Sequence, residues 1–320
     1  MFKGSGITFS LVFIAIIYKF EVLDVAKEKF HDLFRKKNIL SHVFFCEPAE
    51  ICYIFDHVNY IMKQFGSKSV TEKELKRGHW EILWSHDYIN AVPFDFTRLQ
   101  KHQKVNHIPG IHHLISKSHL AVSTNSKYIP ESFLNAIDVI ETYATHHVIN
   151  QNPAKRYLKK SKINGDIQFS NVFEMNFNND DEFSGYFAQE YVENPLLING
   201  HKFEFSVDVL ITSVNPLRVY YYEKNVELLF TKKPYDSKVE TDVDSYIIGE
   251  SRISAENFPK FKKYFNQSLN YKEALNFELK NQKINVQKVW EQVEDAIRTI
   301  VSDKEKYFIE EVSEKLLKIC

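Results

Sequence analysis

Cysteine, glycine and proline are all scarce: three, nine and nine of them in 320 residues. Thiols at 46, 52 and 320 are too few and too scattered for a disulfide framework or a zinc cage. Cys46 and Cys52 are near enough to pair in an oxidising compartment, but two buried thiols is the simpler reading. Little glycine and proline leaves no room for long disordered linkers. A net charge of -1 and an isoelectric point near 6.9 remove any global field that would draw in nucleic acid. The chain also lacks the glycine-rich phosphate loops GxxxxGK[ST] and GxGxxG, the GxSxG elbow and HExxH. Nothing points to a P-loop, a dinucleotide fold, an α/β-hydrolase or a zincin.

What is present is an ordinary globular mixture, 44% hydrophobic and 26% charged, with 26 Phe and 17 Tyr that predict a ring-rich core. The length suits one large core or two lobes. An uncharged apolar run from Gly4 to Tyr18 lies between Lys3 and Lys19. It is short of the ~20 residues a membrane span uses, and no small-residue cleavage site follows it. Residues 1–20 therefore read as a signal-anchor or transmembrane helix that places the protein at a membrane by a single pass. A cleaved signal and a buried N-terminal helix are the alternatives, and the mixed flanking charges leave orientation open.

Residues 21–135 read as an N-terminal α/β region and 136–320 as a second domain. A first helix is expected over 21–42, then a strand and helix broken at Pro48 and ending at Gly66. Thr71 with Glu74 fits a capping box. Six histidines between His86 and His119 include no helix-facing pair with an acidic partner, so they read as loop residues and no metal site is assigned. Asn106–Gly110 is turn chemistry. A short helix is predicted within 130–143. His146–Phe169 reads as strand, basic turn, strand. Lys202–Thr212, Leu217–Tyr222 and Val226–Phe230 read as a three-stranded antiparallel meander. Two amphipathic helices close the chain, over 286–301 and 308–316.

The first of those meander strands alternates Phe203, Phe205, Val207 and Val209 with Lys202, Glu204, Ser206 and Asp208. A lysine beside carboxylates on one strand face suits a polyanion or ribose hydroxyls. The same lane also suits the wet face of an edge-exposed sheet. Both readings stand on the residues alone.

Four stretches carry a resemblance: "ILWSHDY", "HQKVNHIPG", "QEYVENPLLINGHKFEFSVDVLITSVNPLRVYYY" and "VWEQVEDAI". In their order and spacing over about residues 80–300 they resemble the tubulin–tyrosine-ligase-like family, here a divergent branch with an apolar N-terminus. The resemblance implies an α+β, ATP-grasp-like, two-lobed fold with an antiparallel sheet. It implies ATP and magnesium as cofactors and ligation of an amino acid to a protein carboxylate, of the polyglutamylase type. Tubulin or the C-terminal tails of microtubules would be the acceptor. On the matching positions, Gln189, Glu190, Tyr191 and Val192 correspond to the hinge at adenine. Lys202 corresponds to the nucleotide lysine and Glu204 to a family aspartate.

Other positions depart from the pattern. Ser206 stands at the family's phosphate-facing arginine. Asn150 or Gln151 stands at its first-lobe lysine, with Lys155 or Arg156 as nearby substitutes, and only Gly165 marks the glycine-rich loop. The chain stops short of the closing strand and its Glu-x-Asn metal segment, so no metal ligand and no catalytic residue is assigned. Two expectations therefore stand side by side, a ligase and a membrane-tethered, nucleotide- or protein-binding pseudoenzyme.

Overall fold

The computed structural model describes residues 9–12, 41–45, 56–85, 98–100, 102–124, 126–150, 155–161, 167–175, 177, 185–236, 242–249 and 251–317. The chain divides into two compact units. The first comprises Met1–Phe13, His112–Val209 and Tyr221–Lys304, the second Ile14–Ile111, Leu210–Tyr220 and Glu305–Cys320.

The N-terminal run supplies the first correction. Phe9–Val12 is a strand, β1, lying parallel to a later strand, with Phe9 opposite Phe205 and Val12 opposite Asp208. Its aromatic and branched residues suit a pleated ladder that takes up the backbone hydrogen bonds. The rest of residues 1–20, most of the expected helix at 21–42, and all three cysteines lie outside the described residues. Among the described residues no helix is long and apolar enough to cross a membrane.

The second unit is built on a parallel sheet ordered β3-β2-β4-β5, from β2 (Ser41–Phe45), β3 (Lys68–Ser69), β4 (Ile82–Ser85) and β5 (Lys104–Val105). Helices α1 (Asp56–Gln64) and α2 (Glu72–Arg77) lie between its strands in sequence. The expected capping box is present: Glu74 N–H donates to Thr71 Oγ1 at 3.4 Å and Thr71 N–H donates back to Glu74 Oε2 at 2.8 Å. Val43, Leu75, Trp80 and Leu83 make the core.

The sequence motifs of this unit are architectural. Gln103 Nε2 donates to the carbonyls of Gly78 and Trp80 at 2.9 and 3.0 Å. Asn106 mimics a strand: its Oδ1 accepts from Ser85 N–H at 2.8 Å and its Nδ2 donates to Ser85 O at 2.9 Å. His107 Nε2 lies 2.9 Å from the same carbonyl.

The first unit begins with two short helices, α3 (His112–Ile115) and α4 (Lys117–Ser123). Its smaller sheet is antiparallel, ordered β6-β9-β7-β8, from β6 (Ser132–Phe133), β7 (Tyr157–Ser161), β8 (Ile167–Phe169) and β9 (Tyr186–Glu190). Asn135 caps α5 (Ala136–Tyr143), which runs on through a π-helical turn at Ala144–Ile149. The strand expected at His146–Asn150 is thus helical, and the expected basic turn is itself strand β7. Tyr157 and Leu158 explain this, since both are buried and anchor the segment despite its charge. Tyr157, Val139, Val172, Met175, Phe177 and Ala188 form the core beside this sheet.

The larger sheet is centred on β11 (His201–Val214). Short β10 (Leu197–Ile198) precedes it, and β12 (Leu217–Tyr221), β13 (Glu227–Phe230) and β14 (Ile253–Ser254) follow. Both β12 and β13 pair with β11, with Phe203 opposite Phe230 and Ser206 opposite Glu227. The second and third strands of the expected meander therefore form one return path along β11, interrupted at residues 222–226. Helix α6 (Val243–Tyr246) lies between β13 and β14, and α7 (Lys262–Phe265) and α8 (Tyr271–Asn281) follow them. The ring-rich core is present: Phe230 stacks on Phe258 at 3.9 Å, and Phe261 and Tyr264 continue the series. One helix, α9 (Val286–Leu317), replaces the two expected at the end. Its buried Val289, Val293, Ala296, Ile297 and Ile300 keep the 3.6-residue period that was read there.

Gly110 ties the family-like turn to the second unit. Its φ is +79°, and an added Cβ would lie 3.1 Å from Tyr307 O and 3.3 Å from the Phe308 ring. Gly110→Ala is expected to cost about 1–3 kcal/mol in urea unfolding, from the left-handed backbone and the backbone clash together. An unchanged midpoint would refute the packing described.

Candidate functional site

The site grows from the period-two geometry of two strands in the first unit. On β7, Lys160 follows the buried Leu158 on the same face, and Leu158 lies opposite Gln189 of β9. Lys160 reaches diagonally across the pair, and its Nζ donates to Gln189 Oε1 at 2.5 Å. Gln189 Nε2 donates in turn to Ser132 Oγ at 2.9 Å, and Ser132 Oγ to Pro130 O at 2.8 Å. The relay holds the ammonium in place but leaves its charge without a carboxylate of its own.

Lys202 enters from β11. Its carbonyl accepts from Thr231 N–H at 2.9 Å and from Thr231 Oγ1 at 3.3 Å, which fixes the strand where the side chain leaves it. Both lysines are half-buried and both ammoniums are pushed down to about 8. Burial is the main cause in each case. Lys160 also feels the like charges of Lys202 and of the exposed Lys117, and Glu204 partly offsets the effect on both. Lys160 thus feels two cations and one carboxylate. Such a surplus of positive charge is complementary to a polyanion.

The hinge lies beside this charge. Glu190 N–H donates to Glu131 O and Tyr191 N–H to Arg156 O, each at 2.8 Å. The sheet therefore occupies both amides, and half-buried Val192 is the first hinge residue past the ladder. Tyr191 is buried, and its hydroxyl donates to Tyr235 Oη at 3.1 Å, while Tyr235 donates to Glu193 O at 2.6 Å. Burial pushes the Tyr191 phenol well above its usual range. Its ring carries two cations, with Arg156 Cζ 5.3 Å and Lys202 Nζ 5.2 Å from the centroid. Arg156 also stacks over Phe169 at 4.3 Å.

The residues named from sequence divide accordingly. Gln189, Tyr191, Lys202 and Glu204 lie around one charged group. Glu190 turns away to Lys155, whose Nζ is 3.0 Å from Glu190 and 3.0 Å from Glu131. Lys155 and Arg156 are engaged in these contacts. Lys160 is the lysine that meets Gln189 and feels Lys202, and the sequence reading missed it because consecutive lysines suggested a turn. The signal was there: Leu158 and Lys160 share a face once the segment is read as a strand. Ser206 is buried where the family arginine was expected, and Asp208 O accepts Tyr222 N–H at 2.9 Å. As for magnesium, Glu204 offers a single carboxylate beside the lysines. One carboxylate holds that ion only together with phosphate oxygens, so the group fits a metal–nucleotide complex and not a bare cation.

The sequence pattern of the "Tubulin-tyrosine ligase family" matches residues 97–316. A probable tubulin polyglutamylase, ttll-15 of Caenorhabditis elegans, is 28% identical over 246 residues, 75% of this chain and 47% of that protein. A probable beta-tubulin polyglutamylase of Tetrahymena thermophila is 26% identical over 266 residues, 76% of this chain and 22% of its own length. Human tubulin polyglutamylase TTLL13 is 26% identical over 265 residues, 78% and 31%. The chain spans less than half the length of each of these relatives. Among solved structures, the C-terminal domain of K. lactis Pby1, an ATP-grasp enzyme, is matched at 17% identity and a TM-score of 0.42, over 76% of this chain and 75% of that one.

The depressed lysines predict a pH effect. Their folded ammoniums release protons near 8, below the usual lysine value of 10.5. Between these values the unfolded chain binds more protons, so stability rises with pH. Urea unfolding at pH 7.5 and 9.5 is expected to show this rise in the wild type and a smaller one in Lys160→Met. Equal slopes in the two proteins would contradict the assignment.

Proposed function

The chain belongs to the tubulin-tyrosine ligase family, and from this we propose that it binds ATP through Lys160, Lys202 and the Gln189–Val192 hinge, as an ATP-dependent protein–amino-acid ligase of the polyglutamylase type. The observation that carries the reading is the pair of half-buried lysines, from two sheets of one unit, within electrostatic reach of each other. Phosphate oxygens are the natural partner of two cations whose own carboxylate is shared. Gln189 positions Lys160, the Thr231 contacts position Lys202, and the Tyr191 ring holds the base end of the group next to the phosphate end. Val192 is the hinge amide in reach of adenine. Bound with the nucleotide, magnesium would add charge neutralisation at the phosphates, with Glu204 the carboxylate nearest to hold it. A protein carboxylate is the proposed acceptor and tubulin its proposed source, which the names of the relatives support. A membrane tether through residues 1–20 forms no part of this proposal.

One observation favours a second reading, nucleotide binding without transfer. Ser206 is buried on the phosphate lane and offers a hydroxyl in place of an arginine fork. Loss of one preorganised charge donor typically costs about 10²–10³ in rate.

A thermal shift with MgATP tests the binding that both readings share. At 100-fold over the dissociation constant the wild type should gain about 2.7 kcal/mol. Lys160→Met and Lys202→Met should each lose most of that gain. No shift in the wild type, or an equal shift in both variants, would end the proposal. Incorporation of labelled glutamate into tubulin separates the two readings, since the ligase incorporates it and the binder does not.

A further inference from the structure

Three of the histidines read from sequence as loop residues converge. His112 and His113 open α3, and His119 lies on α4 after a reversal at Ser116. Ser116 N–H donates to His112 O at 2.9 Å, Leu120 N–H donates to Ser116 O at 2.9 Å, and Ser116 Oγ caps α4. The reversal brings the His119 ring within 5.8 Å of His112 and 5.9 Å of His113, which are themselves 4.0 Å apart. One ring nitrogen from each of the three lies within 4.8 Å of the other two. All three side chains are half-buried.

The support beneath them is fixed. Leu114 and Ser118 are buried between the ligand positions. At the end of α4, Ser123 Oγ donates to His119 O at 2.5 Å. The fully buried Lys304 donates to Ser123 O at 2.8 Å and to Ser123 Oγ at 2.9 Å. His119 is therefore carried on a helix held at both ends. Tetrahedral zinc with bonds of about 2.0–2.1 Å sets its nitrogens roughly 3.3 Å apart. A contraction of about 1.5 Å lies within the reach of small χ rotations.

We propose that His112, His113 and His119 form a three-histidine site for a zinc-like divalent ion, with a fourth position open to water. Three neutral imidazoles and no carboxylate select zinc, cobalt or nickel over magnesium or calcium, which take oxygen ligands. The site shares no residue with the proposed nucleotide group and does not depend on that reading. Binding requires deprotonated imidazoles, so affinity falls as pH drops through the histidine range near 6.5.

Cobalt(II) is the probe for the test, added to the full chain at pH 7.5 and followed by visible absorption. The expected result is one equivalent bound, with the intense d–d bands of a tetrahedral nitrogen site that zinc then bleaches. His119→Ala and the milder His113→Gln should each weaken binding roughly tenfold or more, while His79→Ala, outside the cluster, should not. Circular dichroism of each variant guards against loss of fold. Absence of the bands, or bands that survive both variants in folded protein, would overturn the site.

Discussion

Two like charges held close together organise the first unit. Lys160 and Lys202 belong to different sheets, yet each lowers its ammonium to about 8 chiefly through burial. A cation drawn out of water is costly unless compensated, and Glu204 offsets part of that cost for both. Much of the nearby structure pins these side chains. The Gln189–Ser132 relay restrains Lys160, Thr231 restrains the backbone at Lys202, and the Tyr191 ring accepts the face of Lys202 and of Arg156. The anion proposed to bind there would relieve this cost and so link stability to ligand.

The second unit contributes order of another kind. Its motif residues, Gln103, Asn106 and His107, spend their hydrogen bonds on the backbone of residues 78–85. They replace strand pairing where the short β5 offers only two residues. What looks like a signature of chemistry is here a set of local clamps, with Gly110 closing the segment under Tyr307 and Phe308.

The sequence made some of this legible and left the rest hidden for physical reasons. Lys202 and Glu204 were readable because the alternation of polar and apolar residues over 202–209 tells the two faces of the strand apart. Lys160 was not, because β7 is five residues long and three of its neighbours are basic or polar, which locally suggests solvent. Glu190 and Tyr191 stood out in sequence by resemblance alone, and which of their amides the sheet consumes depends on partners 59 and 35 positions away, Glu131 and Arg156. The three histidines meet across a reversal, and adjacency along the chain said nothing of it. Phe9–Val12 read as part of an apolar helix because a run of uncharged residues fits lipid or a sheet equally well; only pairing with β11 decides it. Ser206 was legible as a departure from the family pattern, and the fold buries it.

The central claim is that Lys160 and Lys202 form an anion receptor. NMR titration of lysine side-chain carbons, assigned with Lys160→Arg and Lys202→Arg, tests it directly. Without nucleotide, two lysines should titrate near 8. With saturating MgATP both should move back to about 10 or higher, as phosphate charge favours the protonated form. Two resonances that already titrate near 10.4 without nucleotide, or that stay near 8 with it, would contradict the account.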